Sequence, residues 1–291
     1  MPQKKAGKRR RAEENSRLTR LLTIRRLLVD RHFRDTQQTF AIEGVRNVIA
    51  AAANGFEFRT VIRSRKLLQV SAARQLVDDL AANGTSVVDV SPEEFRTIST
   101  SRHASGVAGV VMQQRTRIDD ISTAAGDLWL GLSEARSAGN IGSLVRTASA
   151  VGVSGIILIG QSIDPFSPPL IRASMGAIFR TRFIRSSWTS FATWKRRHTV
   201  NIVGACPGAS VSFRETDYST PTVIMLGEER SGLSSRQRQH CGSFVHIPMD
   251  SETDSLNLAV AGSLLLYEAA SGIGSEAHQS FHHGLEGEDS S

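Results

Sequence analysis

The sequence predicts two α/β units in tandem, the second built on a parallel sheet. Three observations carry this. Short apolar strands alternate with helical stretches along most of the chain. A polar, aperiodic run, Gln113–Thr123, interrupts the alternation. The 291 residues suffice for two domains of ordinary size. The expected division is a basic disordered tail (1–15), a small α/β domain (16–113), a linker (114–125), a parallel-sheet domain (126–272) and a polar disordered tail (273–291).

Taken in order, residues 1–15 are too charged to bury a core. From Ser16 the spacing is helical, with Leu18, Leu21, Leu22 and Leu28 on one face and Arg17, Arg20 and Arg25 on others. Strands follow at Thr39–Ile42, Thr60–Ile62, Ser86–Val90 and Val107–Met112, with helices near Val45–Asn54, Ala72–Ala82 and Pro92–Ser99 between them. Beyond the linker the strands are Leu128–Leu132, Ile156–Ile159, Ile202–Ala205, Val223–Leu226 and Phe244–Ile247. The helices are Ile141–Val151, Pro168–Ala177, Thr189–His198 and Leu256–Ala270. Repeated strand-helix-strand units imply a parallel sheet covered on both faces, with ligands in the loops at the carboxyl ends of the strands.

Charge is concentrated at one end. Residues 1–26 hold ten Lys/Arg against Glu13 and Glu14, a net +8, while the whole chain is +7, so the remainder sums to −1. A basic arm of this kind points to nucleic acid, whose counterions it displaces. No apolar run reaches the roughly 18 residues of a membrane span, and the basic start lacks the apolar core of a secretory signal. Two cysteines, Cys206 and Cys241, and eight scattered histidines make neither a disulfide framework nor a metal pattern. A cytoplasmic, metal-free protein is expected.

Three strand-to-helix junctions carry unusual residues. In Ala138–Gly152, AGNIGSLVRTASAVG, an apolar stripe of Ile141, Leu144, Val145, Ala148 and Val151 leaves Arg146 among small neighbours, and Asn140 stands at the helix start. In Leu226–Ser234, LGEERSGLS, Gly227 and Gly232 bracket a tight loop in which the backbone can approach a flat ligand, with Glu229 inside it. In Phe244–Gly272, Pro248 ends a strand and a polar loop leads to Asp254 or Ser255 as expected N-cap of a helix stopped by Gly272. Asn257 is the odd amide in that helix's first turn. The common phosphate cradles and the G-x-S-x-G nucleophile elbow are absent.

Together and in this order, GNIGSLVRTASAVG, LGEERSGLS and IPMDSETDSLNLAVA resemble the three motifs of the SpoU, or TrmH-like, branch of the SPOUT RNA methyltransferases. RASMGAIF, Arg172–Phe179, is similar to that family's connecting helix. The resemblance covers about Asp127–Ser271. A looser one covers about Leu18–Met112, where FAIEGVRNVIAAAANG resembles the ribosomal-protein-L30-like substrate domain fused to many members. Two departures stand out. Arg136-Ser137-Ala138-Gly139 replaces the Asp-Pro that many members carry before the first motif's asparagine, and Ala259 occupies a position where a small polar residue is frequent.

The resemblance implies a C-terminal trefoil knot, S-adenosylmethionine as cofactor, a homodimer with its active site at the subunit interface, and methyl transfer to a ribose 2′-hydroxyl of RNA. Cofactor contacts would fall on Leu226, Gly227, Gly232, Ile247, Pro248, Met249 and Leu256. Arg146 matches the arginine proposed to activate the hydroxyl. Because guanidinium stays protonated, an electrostatic role, gripping phosphate and stabilising alkoxide charge, stands beside that one. Asn140, Glu229, Ser255 and Asn257 would position loop, backbone and hydroxyl, with Glu229 either catalytic or structural. Ribosomal RNA is the favoured substrate. Transfer RNA, an antibiotic-resistance role and a non-catalytic RNA-binding protein are the alternatives.

Overall fold

The computed structural model describes residues 2–218 and 221–272, with backbone alone over 2–13. The described residues divide into two compact units, 2–114 with 166–179, and 115–165 with 180–218 and 221–272. The expected polar tail at 273–291 lies outside the described residues.

In the first unit, helix α1 (Pro2–Val29) precedes α2 (Arg31–Gln37), β1 (Thr39–Glu43), α3 (Val45–Ala53), β2 (Phe58–Arg63), α4 (Ser71–Ala82), β3 (Ser86–Asp89), α5 (Pro92–Arg96) and β4 (Val107–Met112). The sheet order is β1-β4-β2-β3, with β4 antiparallel to both neighbours and β2 parallel to β3. Where the sequence predicts disorder over 1–15, α1 runs back to Pro2. Lys, Arg, Ala and Glu are good helix formers, and once the buried turns of α1 are in place each added residue gains a bond without a new nucleus. The buried stripe of α1 is Leu21, Ile24 and Leu27, packed with Ala41, Phe95 and Val110, whereas Leu18 and Leu22 face solvent.

The second unit begins inside the expected linker. Ile118 and Ile121 flank a single 3₁₀ turn and are buried among Trp129, Ile184 and Trp194, whose indole N–H donates to the Ile121 carbonyl at 3.2 Å. Polar neighbours mask these two isoleucines in the sequence. Next come β5 (Leu128–Ser133), α6 (Ala138–Ala150) and β6 (Gly155–Ile159). By its contacts helix α7 (Pro168–Ala173) groups with the first unit, whereas the sequence leads one to expect all of 126–272 in one domain. Aromatic contacts explain this: the Phe166 and Phe179 rings lie 4.5 and 5.3 Å from those of Phe40 and Phe56 respectively. The second unit resumes with β7 (Phe183–Ser186), α8 (Trp188–Arg197), β8 (Asn201–Ala205), β9 (Val211–Ser212), β10 (Thr222–Leu226), α9 (Ser235–Arg238), β11 (Ser243–His246) and α10 (Leu258–Gly272).

Its seven strands are all parallel, in the order β7-β6-β5-β10-β8-β11-β9. The α/β architecture with a parallel sheet is therefore as the sequence predicts. Central strands such as β10, TVIML, are buried throughout, as a sheet covered on both faces requires. Helix α10 packs on α6 through Gly262, where an added Cβ would meet Leu144 at 2.5 Å and Leu226 at 2.6 Å, and through a 2.8 Å hydroxyl contact between Thr147 and Ser263.

Candidate active site

The sheet order decides where a ligand can sit. Strands β10, β8 and β11 are adjacent and parallel, so the loops leaving their carboxyl ends converge. There they enclose a cavity of about 260 Å³. Leu226, Gly227, Gly232, Ile247, Met249 and Leu256 line it, as do Glu229 and Ser255. Pro248 is exposed and not part of the lining.

The loop after β10 is closed by its own backbone. Glu228 N donates to Gly232 O at 3.1 Å, and Gly232 N returns a bond to Glu228 O at 2.9 Å. Gly227 is forced by this closure: a Cβ there would run into the backbone of Gly232 and Leu233. Gly232 turns the chain at φ +63°.

Two carboxylates latch this loop to the start of α6. Glu229 accepts from the backbone N–H of Ser137 at 2.9 Å and of Arg136 at 3.3 Å, and Glu228 pairs with the Arg136 guanidinium at 3.3 Å. Burial alone would raise the Glu229 carboxyl, but backbone N–H groups of Ser137, Glu229 and Arg136 and the Asn140 side chain outweigh it and hold it below the ordinary carboxylate range. The serine in the departing Arg-Ser-Ala-Gly run caps α6, its hydroxyl accepting from Asn140 N at 3.3 Å.

Asn257 joins the third motif to the first. Its Nδ2 donates to Asn140 Oδ1 at 3.0 Å, while its Oδ1 accepts from Ala259 N at 2.8 Å and its carbonyl from Ala261 N at 2.9 Å. Asn257 is therefore the cap of α10, and the helix begins at Leu258 rather than after Asp254 or Ser255. The contact at Ala259 is made by its backbone N–H, which does not depend on the side chain there.

The structure thus brings Asn140, Glu229 and Asn257 into one network beside the cavity, with Ser255 on its wall. Arg146 stands apart. It is exposed on α6, in no ion pair among the described residues, and does not line the cavity.

Sequence reasoning missed the wall supplied by β8. Ala205, Cys206 and Pro207 line the cavity, and Arg238 reaches in with its guanidinium 3.0 Å from the Cys206 sulfur and 4.3 Å from the Phe244 ring centroid. Burial pushes the Cys206 thiol up, but Arg238 and the Gly208 N–H hold it below the ordinary thiol range, whereas burial carries Cys241 to about 11. Only strand order, which no local pattern encodes, places β8 there.

Two family models match the chain: the SpoU rRNA Methylase family over residues 127–267 and the MRM3-like substrate binding domain over 22–109. An uncharacterized tRNA/rRNA methyltransferase of Synechocystis is 30% identical, the alignment covering 67% of this chain and 70% of that protein. The chain belongs to the SpoU rRNA methylase family. Another relative in it, the 23S rRNA (uridine(2479)-2′-O)-methyltransferase of Streptomyces viridochromogenes, is 29% identical over 87% of this chain and 90% of its own length. Among solved structures, the AdoMet-bound rRNA methyltransferase of Sinorhizobium meliloti superposes with a TM-score of 0.81 at 32% identity, covering 88% of this chain and 95% of that one. The SpoU methyltransferase AviRb of S. viridochromogenes, in complex with AdoMet, gives 0.79 at 27% identity over 87% and 97%.

Proposed function

We propose that this protein transfers a methyl group from S-adenosylmethionine to a ribose 2′-hydroxyl of ribosomal RNA. The observation that carries the reading is the cavity at the ends of β8, β10 and β11, bordered by a loop that Glu229 ties to the helix bearing Asn140 and Arg146. Its lining suits the cofactor. Leu226, Ile247, Met249 and Leu256 offer apolar surface to a flat purine, and the backbone groups beside Gly227 and Gly232 offer hydrogen bonds to its edges without charged side chains.

The cofactor supplies an electrophilic methyl group on a sulfonium. The chain's own residues have to align the hydroxyl and ease loss of its proton. Glu229, acting through Ser137 and Arg136, is a positioning residue that sets the first turn of α6, and Asn257 fixes the Asn140 amide by their shared bond. Arg146 grips the adjacent phosphate and stabilises negative charge developing on the 2′-oxygen. A guanidinium holds its proton too tightly to serve as base.

Arg146 does not line its own chain's cavity, which favours a homodimer that assembles the site from two subunits. Val260, Leu264 and Tyr267 support this: they follow one another along one face of α10 and are 49, 42 and 57 % exposed. The trefoil knot is likewise an inference, resting on family membership and on the insertion of β10 between the earlier strands β5 and β8.

The test is methyl transfer from radiolabelled S-adenosylmethionine to unmethylated, in vitro-transcribed 23S rRNA, with nucleosides resolved by mass spectrometry. A 2′-O-methylated nucleoside is expected. Label on a nucleobase, or none on any ribosomal RNA, would overturn the reading.

A further inference from the structure

The first unit holds a cavity of its own, about 190 Å³, that the chemistry above does not use. Its floor is apolar, with Leu28 and Ala41 from α1 and β1 and Pro168 and Ile171 from α7. Its polar side is ordered by Glu43, whose carboxylate accepts from the Ser99 hydroxyl, from Thr100 N at 2.7 Å and from Thr100 Oγ1 at 3.0 Å. This fixes the segment carrying Thr100, Ser101 and His103, all on the cavity wall. Asn47 donates Nδ2 to the Glu43 carbonyl at 2.9 Å, which leaves its amide oxygen and second amide hydrogen for a ligand. At the rim, Arg172 spends one N–H on Thr100 Oγ1 at 3.4 Å and otherwise faces solvent, as do His103 and the neighbouring Arg102.

We infer that this cavity receives one unstacked nucleotide of the RNA substrate, its base between the apolar floor and the Asn47 and Ser101 side and its phosphate on Arg172 and His103. The inference rests on the RNA methyltransferase reading and adds the place where the first unit reads its substrate. The volume is below the roughly 300–1,000 Å³ of sites for drug-sized ligands and suits a single flat ring. Sequence-specific recognition of RNA commonly takes single unpaired bases in this way, on hydrogen-bonding groups set against a stacking or apolar surface. Donors at the rim are what a phosphate requires, and Arg172 retains four of its five N–H groups for it. A carboxylate already holding three donors is an anchor for the wall; its charge persists and is offset at the rim by the Arg172 guanidinium, which bonds the same Thr100 Oγ1.

The experiment uses the full chain and unmethylated, in vitro-transcribed 23S rRNA containing 4-thiouridine. Irradiation should crosslink RNA to peptides containing residues 100–105 or 168–172. Ser101→Trp, which fills the cavity from an exposed position, and Arg172→Ala, which clears the rim, should each raise the RNA KM about tenfold, the order of one lost base or phosphate contact. Affinity for S-adenosylmethionine and kcat at saturating RNA should stay within about twofold. Two results would overturn the inference: crosslinks confined elsewhere with unchanged KM in both variants, or saturable binding of free mononucleotides at this cavity without RNA crosslinks. Crosslinking does not depend on turnover, so a wild-type protein that crosslinks here but transfers no methyl would sink the enzymatic reading and leave the pocket standing.

Discussion

Asn257 Nδ2 donates to Asn140 Oδ1 across 3.0 Å, and through that bond the start of α10 is held against the start of α6. The same asparagine caps α10 with its other amide atom. One side chain thus serves helix stability and site geometry through two separable contacts.

The separation can be measured. Asn257→Ala loses both contacts and should lower stability by about 1 kcal/mol, a fall in Tm of roughly 2–4 °C for a unit of this size. Asn257→Asp keeps an oxygen for Ala259 N and should hold Tm near wild type, while losing the amide donor that fixes Asn140. Methyl transfer should fall in both variants. A wild-type rate in Asn257→Asp would reduce Asn257 to a helix cap.

The two glycines of the β10 loop should behave differently. At Gly227 even a methyl group meets the backbone of Gly232 and Leu233, which cannot swing aside as a side chain does. Gly227→Ala should therefore weaken calorimetric binding of S-adenosylmethionine by tenfold or more. At Gly232 a Cβ meets nothing within 4 Å and only the φ of +63° is unfavourable. That costs roughly 1–2 kcal/mol, so Gly232→Ala should retain measurable binding. Equal losses in both would mean that loop closure is not what shapes the cavity.

Much of this arrangement is legible in the chain. Buried strands such as β10 announce themselves as apolar runs, and the three junctions carry their glycines and amides openly. Other features are not. Strands β7, FIRS, and β9, VS, are too short and polar to stand out. Asp254, Ser255 and Asn257 are all capping residues, and the choice falls on Asn257 where its amide also meets Asn140, 117 positions away. Phe166 and Phe179 read as part of the second domain until their partners Phe40 and Phe56 are known.

The Glu229 latch carries a pH dependence. Its carboxyl is held below the ordinary range, so the folded state prefers the charged form. The resulting stabilisation is complete above the unfolded value of about 4.3 and is lost as pH falls through the lower folded value. Glu229→Gln should melt earlier than wild type at pH 7, and the gap should close under acid conditions. A gap independent of pH would assign the loss to shape rather than charge.

The exposed stripe on α10 predicts a dimer. Sedimentation at micromolar concentration should give twice 31.6 kDa. Leu264→Lys, at a position 42 % exposed in the single chain, should give monomers without unfolding. These monomers should bind S-adenosylmethionine yet transfer no methyl, because Arg146 would then lack the cavity of a second subunit. Monomeric wild type at that concentration counts directly against a shared site.

The last prediction separates binding from chemistry. Deleting residues 1–15 removes Lys4, Lys5, Lys8, Arg9, Arg10 and Arg11 together with Glu13 and Glu14, a net loss of four positive charges. These lie before the turns of α1 that bury Leu21, Ile24 and Leu27, so the first unit should still fold. RNA affinity should weaken, and the slope of log K against log salt should flatten by up to about 4 if all six lost Lys/Arg side chains met phosphates of single-stranded RNA. Single-turnover transfer at saturating RNA should be unchanged. Arg146→Ala should do the reverse, leaving cofactor affinity intact while the rate falls about a hundredfold or more, the scale of a lost electrostatic contact to a transition state. Arg146→Lys then distinguishes the two roles of the guanidinium. A lysine ammonium can lose its proton when desolvated, but it cannot hold a phosphate with two parallel hydrogen bonds. A phosphate-gripping Arg146 predicts that the lysine variant stays nearly as slow as the alanine one and gains little as pH rises. Recovery that climbs with pH would instead make position 146 the base, and a wild-type rate in Arg146→Ala would remove it from the reaction altogether.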